Sequence, residues 1–213
     1  MLLPCSDPGI SATFNGGTHM PFEDTAIIRA MPEILIVEPA DNVAARALFP
    51  QLENYTGMTY TRLTRSNVMN IYEEGSEFKL GKGNVLREGK DVTLIAAGVE
   101  VEEALIAAEL LEKDGISAKV IDMFCIRPID RDLIIASANE TGALVTCENH
   151  SVNGGLGDAV TQVIMEGKNR VPVERVGSHE KFGQVGDFQF LKEQYGMDAA
   201  SIAATAKKAI SKK

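Results

Sequence analysis

The feature that most constrains the fold is the alternation of short apolar runs with helical patterns in the second half of the chain. The runs, rich in Val, Ile, Leu and Ala, cover residues 92–97, 118–123, 143–147 and 173–176. Runs of this length are typical of strands that are covered on both faces, as in parallel sheets. Because helical patterns lie between them, the sequence predicts an α/β fold with a doubly wound, mostly parallel sheet.

The predicted helices of this half have recognisable ends. The first follows Gly98 and carries apolar residues on one face up to Gly115, and a glycine suits the position just after a helix end. Further helices are predicted at residues 130–138, between the Gly-rich segment 153–157 and Met165, and at residues 199–210.

The first third of the chain shows the same pattern after an irregular start. Residues 1–20 are rich in Gly, Pro, Ser, Asp and Asn and predict a loop. The next predicted elements are a helix at 21–31, a strand at 34–37, a helix capped by Asp41 that reaches Leu52, and a strand at 58–64. Glycine-containing residues 66–91 have weak periodicity and predict a linker with a small hairpin.

We therefore expect three parts: residues 1–68, a linker and hairpin at 69–91, and a second α/β unit at 92–213. A long loop that opens a globular chain suggests that the chain begins partway through a domain. Half a domain would leave a sheet edge and apolar faces uncovered. Self-association, at least to a dimer, is expected for this reason.

The charge and the cysteines limit the class of protein. A net charge of −9 argues against nucleic acid and against an anionic membrane as partners. No apolar run approaches the roughly 20 residues that a membrane-spanning helix needs. Cys5, Cys125 and Cys147 are widely spaced and odd in number, which is typical of reduced thiols, so a cytoplasmic location is expected.

Candidate chemistry is densest at residues 15–24, which combine two glycines, a histidine, two carboxylates and a helix start. Gly16 and Gly17 allow the backbone to approach a ligand closely. His19 is suited to proton transfer near neutral pH. An equally supported alternative is that His19 packs against the helix start while the glycines only form a turn.

Arg65 is the second candidate, in the segment 64–67 directly after a predicted strand. Ligands of α/β sheets collect outside the carboxyl ends of the strands. An arginine there can hold a phosphate or carboxylate through two parallel hydrogen bonds. The alternative is an arginine that is merely solvated on a loop.

Other polar motifs favour structural roles. The segment 153–157 does not have the spacing of a dinucleotide-binding loop and predicts a turn. His150 and His179 are also interpreted as structural. The acidic residues after Gly98 are expected on solvated surface, namely Glu100, Glu102, Glu103 and Glu109. The sequence shows neither metal-ligand spacing nor a convincing pair of nucleophile and base.

Several of these segments together resemble transketolases. Residues 17–24, Gly-Thr-His-Met-Pro-Phe-Glu-Asp, are similar to the G-x-T-H-x-P-x-E-[DT] segment of the family's pyrimidine-binding domain. Similar pieces follow in order at residues 31–34, 38–41 and 64–67, and then, for the family's C-terminal domain, at 94–98, 127–130 and 148–157. The resemblance implies a partial pyrimidine-binding domain followed by a transketolase C-terminal domain. Residues 6–9 and 14–17 look closest to split transketolases, in which two genes encode the two halves.

The resemblance also implies roles for single residues. His19 would face the reacting end of a sugar, and Arg65 would hold the terminal phosphate of a sugar phosphate. Asn15 stands where the family has an aspartate that contacts a sugar hydroxyl, so it keeps hydrogen bonding but lacks the charge. The family often has a histidine near the position of Asp7. These two departures leave the sugar preference open.

By the same resemblance, the residues that bind and activate thiamine diphosphate lie on a preceding polypeptide, together with the site of a divalent metal such as Mg²⁺. The chain is therefore expected to hold neither cofactor nor metal alone. It would take part in two-carbon ketol transfer between sugar phosphates only with an N-terminal transketolase subunit, as part of a homodimeric assembly. The alternatives are a fragment of deoxyxylulose-phosphate synthase or of a two-oxoacid dehydrogenase β subunit, and a non-catalytic assembly module.

Overall fold

The chain folds into two mostly parallel sheets with helices packed against them. A computed structural model describes residues 1–65, 68–168 and 170–213. The strands are β1 (Leu2–Ser6), β2 (Leu35–Val37), β3 (Thr59–Leu63), β4 (Asn84–Arg87), β5 (Val92–Ala96), β6 (Ala118–Asp122), β7 (Cys125–Arg127), β8 (Leu144–Ser151) and β9 (Val173–Ser178). The α-helices are α1 (Asp24–Arg29), α2 (Asn42–Glu53), α3 (Glu100–Lys113), α4 (Arg131–Thr141), α5 (Leu156–Glu166), α6 (Phe188–Tyr195) and α7 (Ala199–Ile210). Short 3₁₀ helices cover Gly9–Asn15 and Gly17–His19.

The first sheet has the strand order β1-β3-β2-β7. β1 and β2 both pair in parallel with β3. β7 comes from the second half of the chain and runs antiparallel to β2, with Ile36 opposite Arg127. The two halves of the chain therefore share one hydrogen-bonded sheet.

The second sheet has the order β4-β6-β5-β8-β9. In this sheet β6, β5, β8 and β9 are parallel to one another, and β4 is antiparallel at the edge. α3 and α7 cover one face with small side chains such as Ala104, Ala108 and Ala206, which allow close packing on Leu94. The two sheets and their helices confirm the predicted α/β class.

Two sequence predictions for the irregular segments are wrong. Residues 1–20 are not simply a loop, because Leu2–Ser6 forms a strand and 3₁₀ turns follow it. The only strand in the described part of 69–91 is β4, which pairs with β6 and not within a hairpin. In both segments, pairing with strands distant in sequence determines the structure more than the weak local sequence pattern does. The division of the chain into three parts remains a prediction.

Asp41 caps α2, as its position before an apolar helical pattern indicates. Its Oδ1 accepts a hydrogen bond from Ala44 N at 2.8 Å. Its Oδ2 accepts from the backbone N–H groups of Ile71 and Tyr72, each at 2.9 Å. One carboxylate therefore begins the helix and also fixes the segment that joins the two halves of the chain.

The acidic start of α3 is buried, so the prediction of solvated surface is wrong for Glu100 and Glu103. Glu103 accepts hydrogen bonds from Lys192 Nζ at 2.6 Å and from Ala199 N at 2.7 Å, which ties α3 to α6 and α7. Burial raises the pKa of Glu100 well above its usual range, and the neighbouring Glu103 adds to the shift. Burial therefore disfavours the charged form of Glu100. Glu102 is half-buried and Glu109 is exposed.

The three cysteines are not cross-linked to one another. Cys5, Cys125 and Cys147 are free thiols, and the last two are buried. Burial raises the pKa of Cys125 to about 11 and that of Cys147 well above its usual range. Neither buried thiol is therefore ionised near neutral pH.

Across residues 1–65, 68–168 and 170–213, no helix has the length and apolar character that crossing a membrane requires.

Asp122, at the end of β6, makes a pH-dependent contribution to stability. Tyr72 Oη donates to its Oδ2 at 2.8 Å, and burial raises its pKa to about 8. Between pH 4 and 8 the folded chain keeps a proton that the unfolded chain releases, so this contribution falls as pH rises. We therefore expect the free energy of unfolding of Asp122→Asn, relative to that of the native chain, to increase as pH rises. The increase should be up to about 1.4 kcal/mol per pH unit.

The measurement is urea unfolding at pH 5, 6, 7 and 8. Asp132→Asn is the matched control, because the Asp132 side chain is 94% exposed. Stability curves for Asp122→Asn and the native chain that stay parallel over this range would contradict the prediction.

Candidate functional site

An open pocket of about 300 Å³ lies beyond the carboxyl ends of β1 and β3. Parallel neighbouring strands end at the same edge of a sheet, so the segments that follow them meet there. The residues that line the pocket are Asp7, Ser11, Ala12, Thr13, Asn15 and Arg65. The pocket thus brings together Asn15 and Arg65, two of the three site residues predicted from the sequence, whereas His19 is outside this lining.

Asp7 positions Arg65. Its Oδ1 accepts a hydrogen bond from Arg65 N at 2.9 Å, and its Oδ2 accepts one from Arg65 Nε. The Asp7 side chain is 8% exposed, whereas that of Arg65 is 74% exposed. The carboxylate therefore holds the base of the guanidinium while the rest of the group faces solvent. Ser66 and Asn67, which complete the predicted motif, lie outside the described residues.

Two pocket residues have unusual backbone conformations. Asp7 has φ 54° and Thr13 has φ 45°, both in the left-handed region. A non-glycine residue held there costs on the order of 1–3 kcal/mol and persists only where surrounding contacts impose it. Such strain clusters at functional sites, which adds to the case for this pocket.

Asn149 supplies those surrounding contacts from the other half of the chain. Its Nδ2 donates to Pro8 O at 2.8 Å and to Ser11 Oγ at 3.0 Å, and its Oδ1 accepts from Ile10 N at 2.8 Å. The buried amide of this β8 residue therefore fixes the 3₁₀ segment that carries Asn15. Sequence reasoning missed this role, because the two partners are about 140 positions apart.

His19 lies at the end of the second 3₁₀ turn and is exposed. Its Nδ1 is 2.9 Å from Thr18 Oγ1. The glycines before it serve packing, because a Cβ at Gly16 would lie 2.7 Å from Val185 Cγ2 and a Cβ at Gly17 would lie 2.7 Å from Gly183 O. The turn is thus pressed against residues 183–185, and His19 projects from its far end.

A buried ionic cluster lies beneath this region. Arg62, on β3, is 1% exposed. Its Nε donates to Asp24 Oδ2 at 2.9 Å, one terminal nitrogen donates to Glu38 Oε2 at 2.7 Å, and the other donates to Asn149 O at 2.9 Å. Tyr60 Oη also donates to Asp24 at 2.8 Å. One guanidinium therefore connects α1, the end of β2 and β8.

The charges in this cluster stabilise each other. Burial alone would raise the pKa of Asp24, but Arg62 and the Tyr60 hydrogen bond outweigh it, so this pKa lies below its usual value. Burial alone would lower the pKa of Arg62, but Glu38 and Asp24 outweigh it and hold that pKa above its usual value. Both groups are therefore charged at neutral pH, and each depends on the other.

His150 and Glu148 are buried beside the cluster, and their geometry supports the structural role predicted for His150. His150 Nδ1 lies 2.7 Å from Ser151 O, and Nε2 accepts a hydrogen bond from Ala26 N at 3.4 Å. Burial, together with the positive charge of Arg62, lowers the pKa of His150 to about 4, so the ring is neutral at pH 7.

The Gly-rich segment 153–157 binds the side-chain carboxylate of Glu148. Glu148 accepts hydrogen bonds from Leu156 N at 2.6 Å and from Gly157 N at 2.8 Å. The N-terminus of α5 is thereby capped from within, which supports the predicted structural turn. A Cβ at Gly155 would lie 1.9 Å from Glu148 Oε2, so only glycine fits this position.

Acidic and metal-ligating side chains are spread through the described part of the chain. Across the described ranges, no group of three or more His, Cys, Asp or Glu side chains is placed to hold a metal ion. Asp24 and Glu148 engage internal partners, and burial raises the pKa of Glu100.

Comparison with known proteins decides the family. Residues 81–202 match the model of the transketolase C-terminal domain family. The chain belongs to the transketolase family.

Relatives agree with the family assignment. The chain is 46% identical over 94% of its length to "6-deoxy-6-sulfo-D-fructose transketolase subunit SqwH" of Clostridium sp. (strain MSTE9). It is 38% identical over 93% of its length to an apulose-4-phosphate transketolase subunit of Phocaeicola vulgatus. It spans 62% and 63% of these two transketolase relatives.

A solved structure titled "Split gene transketolase, inactive beta4 tetramer" is similar over 100% of this chain and 67% of its own, at 39% identity and a TM-score of 0.90. The resemblance to transketolases noted in the sequence is thus confirmed.

The buried cluster of this transketolase-family chain predicts a large effect for Arg62→Met. Removal of the guanidinium takes a donor from Glu38 and from the Asn149 carbonyl, and it leaves Asp24 with the Tyr60 hydrogen bond alone as its side-chain donor within the described residues. Loss of one partner of a buried ion pair costs about 3–5 kcal/mol. Arg46→Met is the matched control, since the Arg46–Glu74 pair is exposed and such pairs contribute about 0–1 kcal/mol. Urea unfolding of both variants measures the difference. Equal losses would contradict a special role for Arg62.

Proposed function

We propose that the chain acts as the C-terminal subunit of a split transketolase-type enzyme and contributes substrate-binding residues to two-carbon ketol transfer between sugar phosphates. The proposal rests on the meeting of Arg65 and Asn15 in one open pocket. It is also supported by the names of two relatives, both of which are transketolase subunits.

Arg65 is proposed to bind the terminal phosphate of the sugar. Its side chain is 74% exposed, and Asp7 fixes its base through the backbone N–H and Nε. The outer edge of the guanidinium can thus turn to a phosphate without loss of its anchor. Arginine is suited to this role because its planar donors match two phosphate oxygens at once.

Asn15 is proposed to contact a sugar hydroxyl. It lines the same pocket as Arg65, on a segment that Asn149 holds rigid. An amide donates and accepts hydrogen bonds without carrying charge, so it tolerates a wider range of hydroxyl arrangements than a carboxylate would. This residue is a natural place for the sugar preference to be set.

His19 is proposed to move protons at the reacting end of the sugar. It is exposed, and one ring nitrogen is within hydrogen-bonding distance of Thr18 while the other has no partner within the described ranges. An imidazole with one oriented and one open nitrogen is well placed for proton transfer. The pressed Gly16–Gly17 turn fixes the backbone on which it stands.

A partner subunit is proposed to bind the cofactor. Thiamine diphosphate and a divalent metal such as Mg²⁺ would be bound by an N-terminal transketolase subunit, and two such pairs would assemble around a homodimer of this chain. Exposed apolar side chains near the pocket, Phe14, Phe182 and Val185, support an assembly on this side of the molecule.

The role of His19 predicts a loss of turnover in His19→Ala. With the N-terminal subunit, thiamine diphosphate and Mg²⁺ present, we expect kcat for ketol transfer to fall by about 10²–10⁴-fold, as for loss of a general acid or base. His179→Ala is the control, because His179 is also exposed. Thermal unfolding should be unchanged in both variants. A kcat equal to that of the native subunit would contradict the role.

The role of Arg65 predicts a substrate-dependent effect in Arg65→Gln. The KM for a ketose phosphate should rise by about 10–100-fold, the value of a charged hydrogen bond, while that for the unphosphorylated ketose stays nearly constant. Arg46→Gln is the matched control. A loss shared equally by both ketoses would contradict phosphate binding.

The chain without its partner should show no turnover, and activity of the isolated chain would overturn the proposed subunit role.

A further inference from the structure

A second polar pocket shares no lining residue with the Asn15–Arg65 pocket. It has a volume of about 280 Å³ and lies between the end of α1, β7 and the facing sides of α4 and α5. Three arginines from three separate elements line it: Arg29 ends α1, Arg127 ends β7, and Arg131 begins α4. Like charges gathered in one concave site repel each other, so an arrangement of this kind needs an explanation.

Backbone carbonyls orient two of these guanidinium groups. One terminal nitrogen of Arg29 donates to Gly154 O at 2.5 Å and to Gly155 O at 3.0 Å. Arg127 donates to Arg29 O. A carbonyl satisfies a donor but brings no net charge. Within the described ranges, no carboxylate lies within 4.0 Å of either guanidinium, so their charges are held in place without being neutralised.

The acidic residues nearby are engaged elsewhere. Asp158 pairs with Arg175 at 2.7 Å, and Glu148 caps α5. Both act on Arg29 at longer range, yet burial and Arg127 leave the pKa of Arg29 below its usual value. Only Glu166, among the described residues, contacts the set, at 2.7 Å from Arg131.

The charge balance sets the charge of a matching ligand. Three guanidinium groups face one contacting carboxylate, which leaves two positive charges in the pocket. This stands against the net charge of −9 for the whole chain. An anion with two negative charges and several oxygens would neutralise the site and accept the remaining donors in the forked geometry that arginine favours.

We infer that this pocket binds a dianionic tetrahedral oxyanion, such as inorganic phosphate or the phosphoryl group of a small metabolite. Arg127 and Arg29 supply the oriented donors, and Arg131 closes the outer side. Glu166 pairs with Arg131 and gives up part of that contact to the bound anion. Gln162, which lines the pocket and donates to Glu166 at 3.0 Å, retains the displaced carboxylate.

The test is titration of the full-length chain with inorganic phosphate at pH 7.5, by calorimetry, with chloride keeping the ionic strength constant. Arg131→Gln and Arg127→Lys remove the proposed donors. Arg131 is half exposed at its side chain, so its replacement leaves the fold intact. Arg46→Gln is the surface control. Arg65→Gln removes phosphate binding at the other pocket, so all variants are also compared in that background.

In the Arg65→Gln background we expect saturable phosphate binding at one site per chain. Arg131→Gln or Arg127→Lys should weaken it about tenfold, as for loss of one charged hydrogen bond. Sulfate should compete, whereas acetate, with one negative charge, should compete poorly. Absence of saturable binding in this background would overturn the inference. So would binding that the two pocket variants leave unchanged, or acetate competing as well as sulfate.

Discussion

The buried guanidinium of Arg62 is the interaction on which the rest of the structure depends. It takes Asp24 from α1, Glu38 from the end of β2 and a main-chain oxygen from β8, and holds them at one point. A buried guanidinium is stable only when its hydrogen-bonding partners compensate for the hydration that it loses. Because the Asn149 carbonyl comes from the second half of the chain, the cluster is complete only when the two halves dock, and docking brings Asn149 to the segment that carries the candidate site.

Much of the fold could be predicted from the sequence, because its strands are locally distinct. The run at 92–97 has the composition of a fully covered strand, and Val92–Ala96 is one with all five residues buried. The last helix is predicted at 199–210, the bounds found. What local pattern could not give is pairing over distance: β1 and β7 are short strands that exist because β3 and β2 offer open edges beside them. For Glu100 and Glu103, a charged residue type indicated exposure, but both are buried, and Glu103 binds Lys192 of α6 and Ala199 of α7.

The candidate site was predictable to a similar degree and for a similar reason. Resemblance pointed to Asn15 and Arg65, and the parallel order of β1 and β3 brings them to one pocket. Neither composition nor spacing revealed that Asp7 anchors Arg65, because the two follow strands that are far apart in sequence. Nor could they reveal that His150, a tempting acid or base, is a neutral ring fixed between the backbone of Ser151 and Ala26.

The crossing of β7 into the first sheet has a consequence for any division of the chain. Ile36 and Arg127 are ladder neighbours although they lie on opposite sides of residues 69–91. A chain break within those residues would leave two strands of one sheet on separate polypeptides and expose the edge of each. The first sheet is therefore complete only when both segments are present, so neither segment can keep this arrangement without the other.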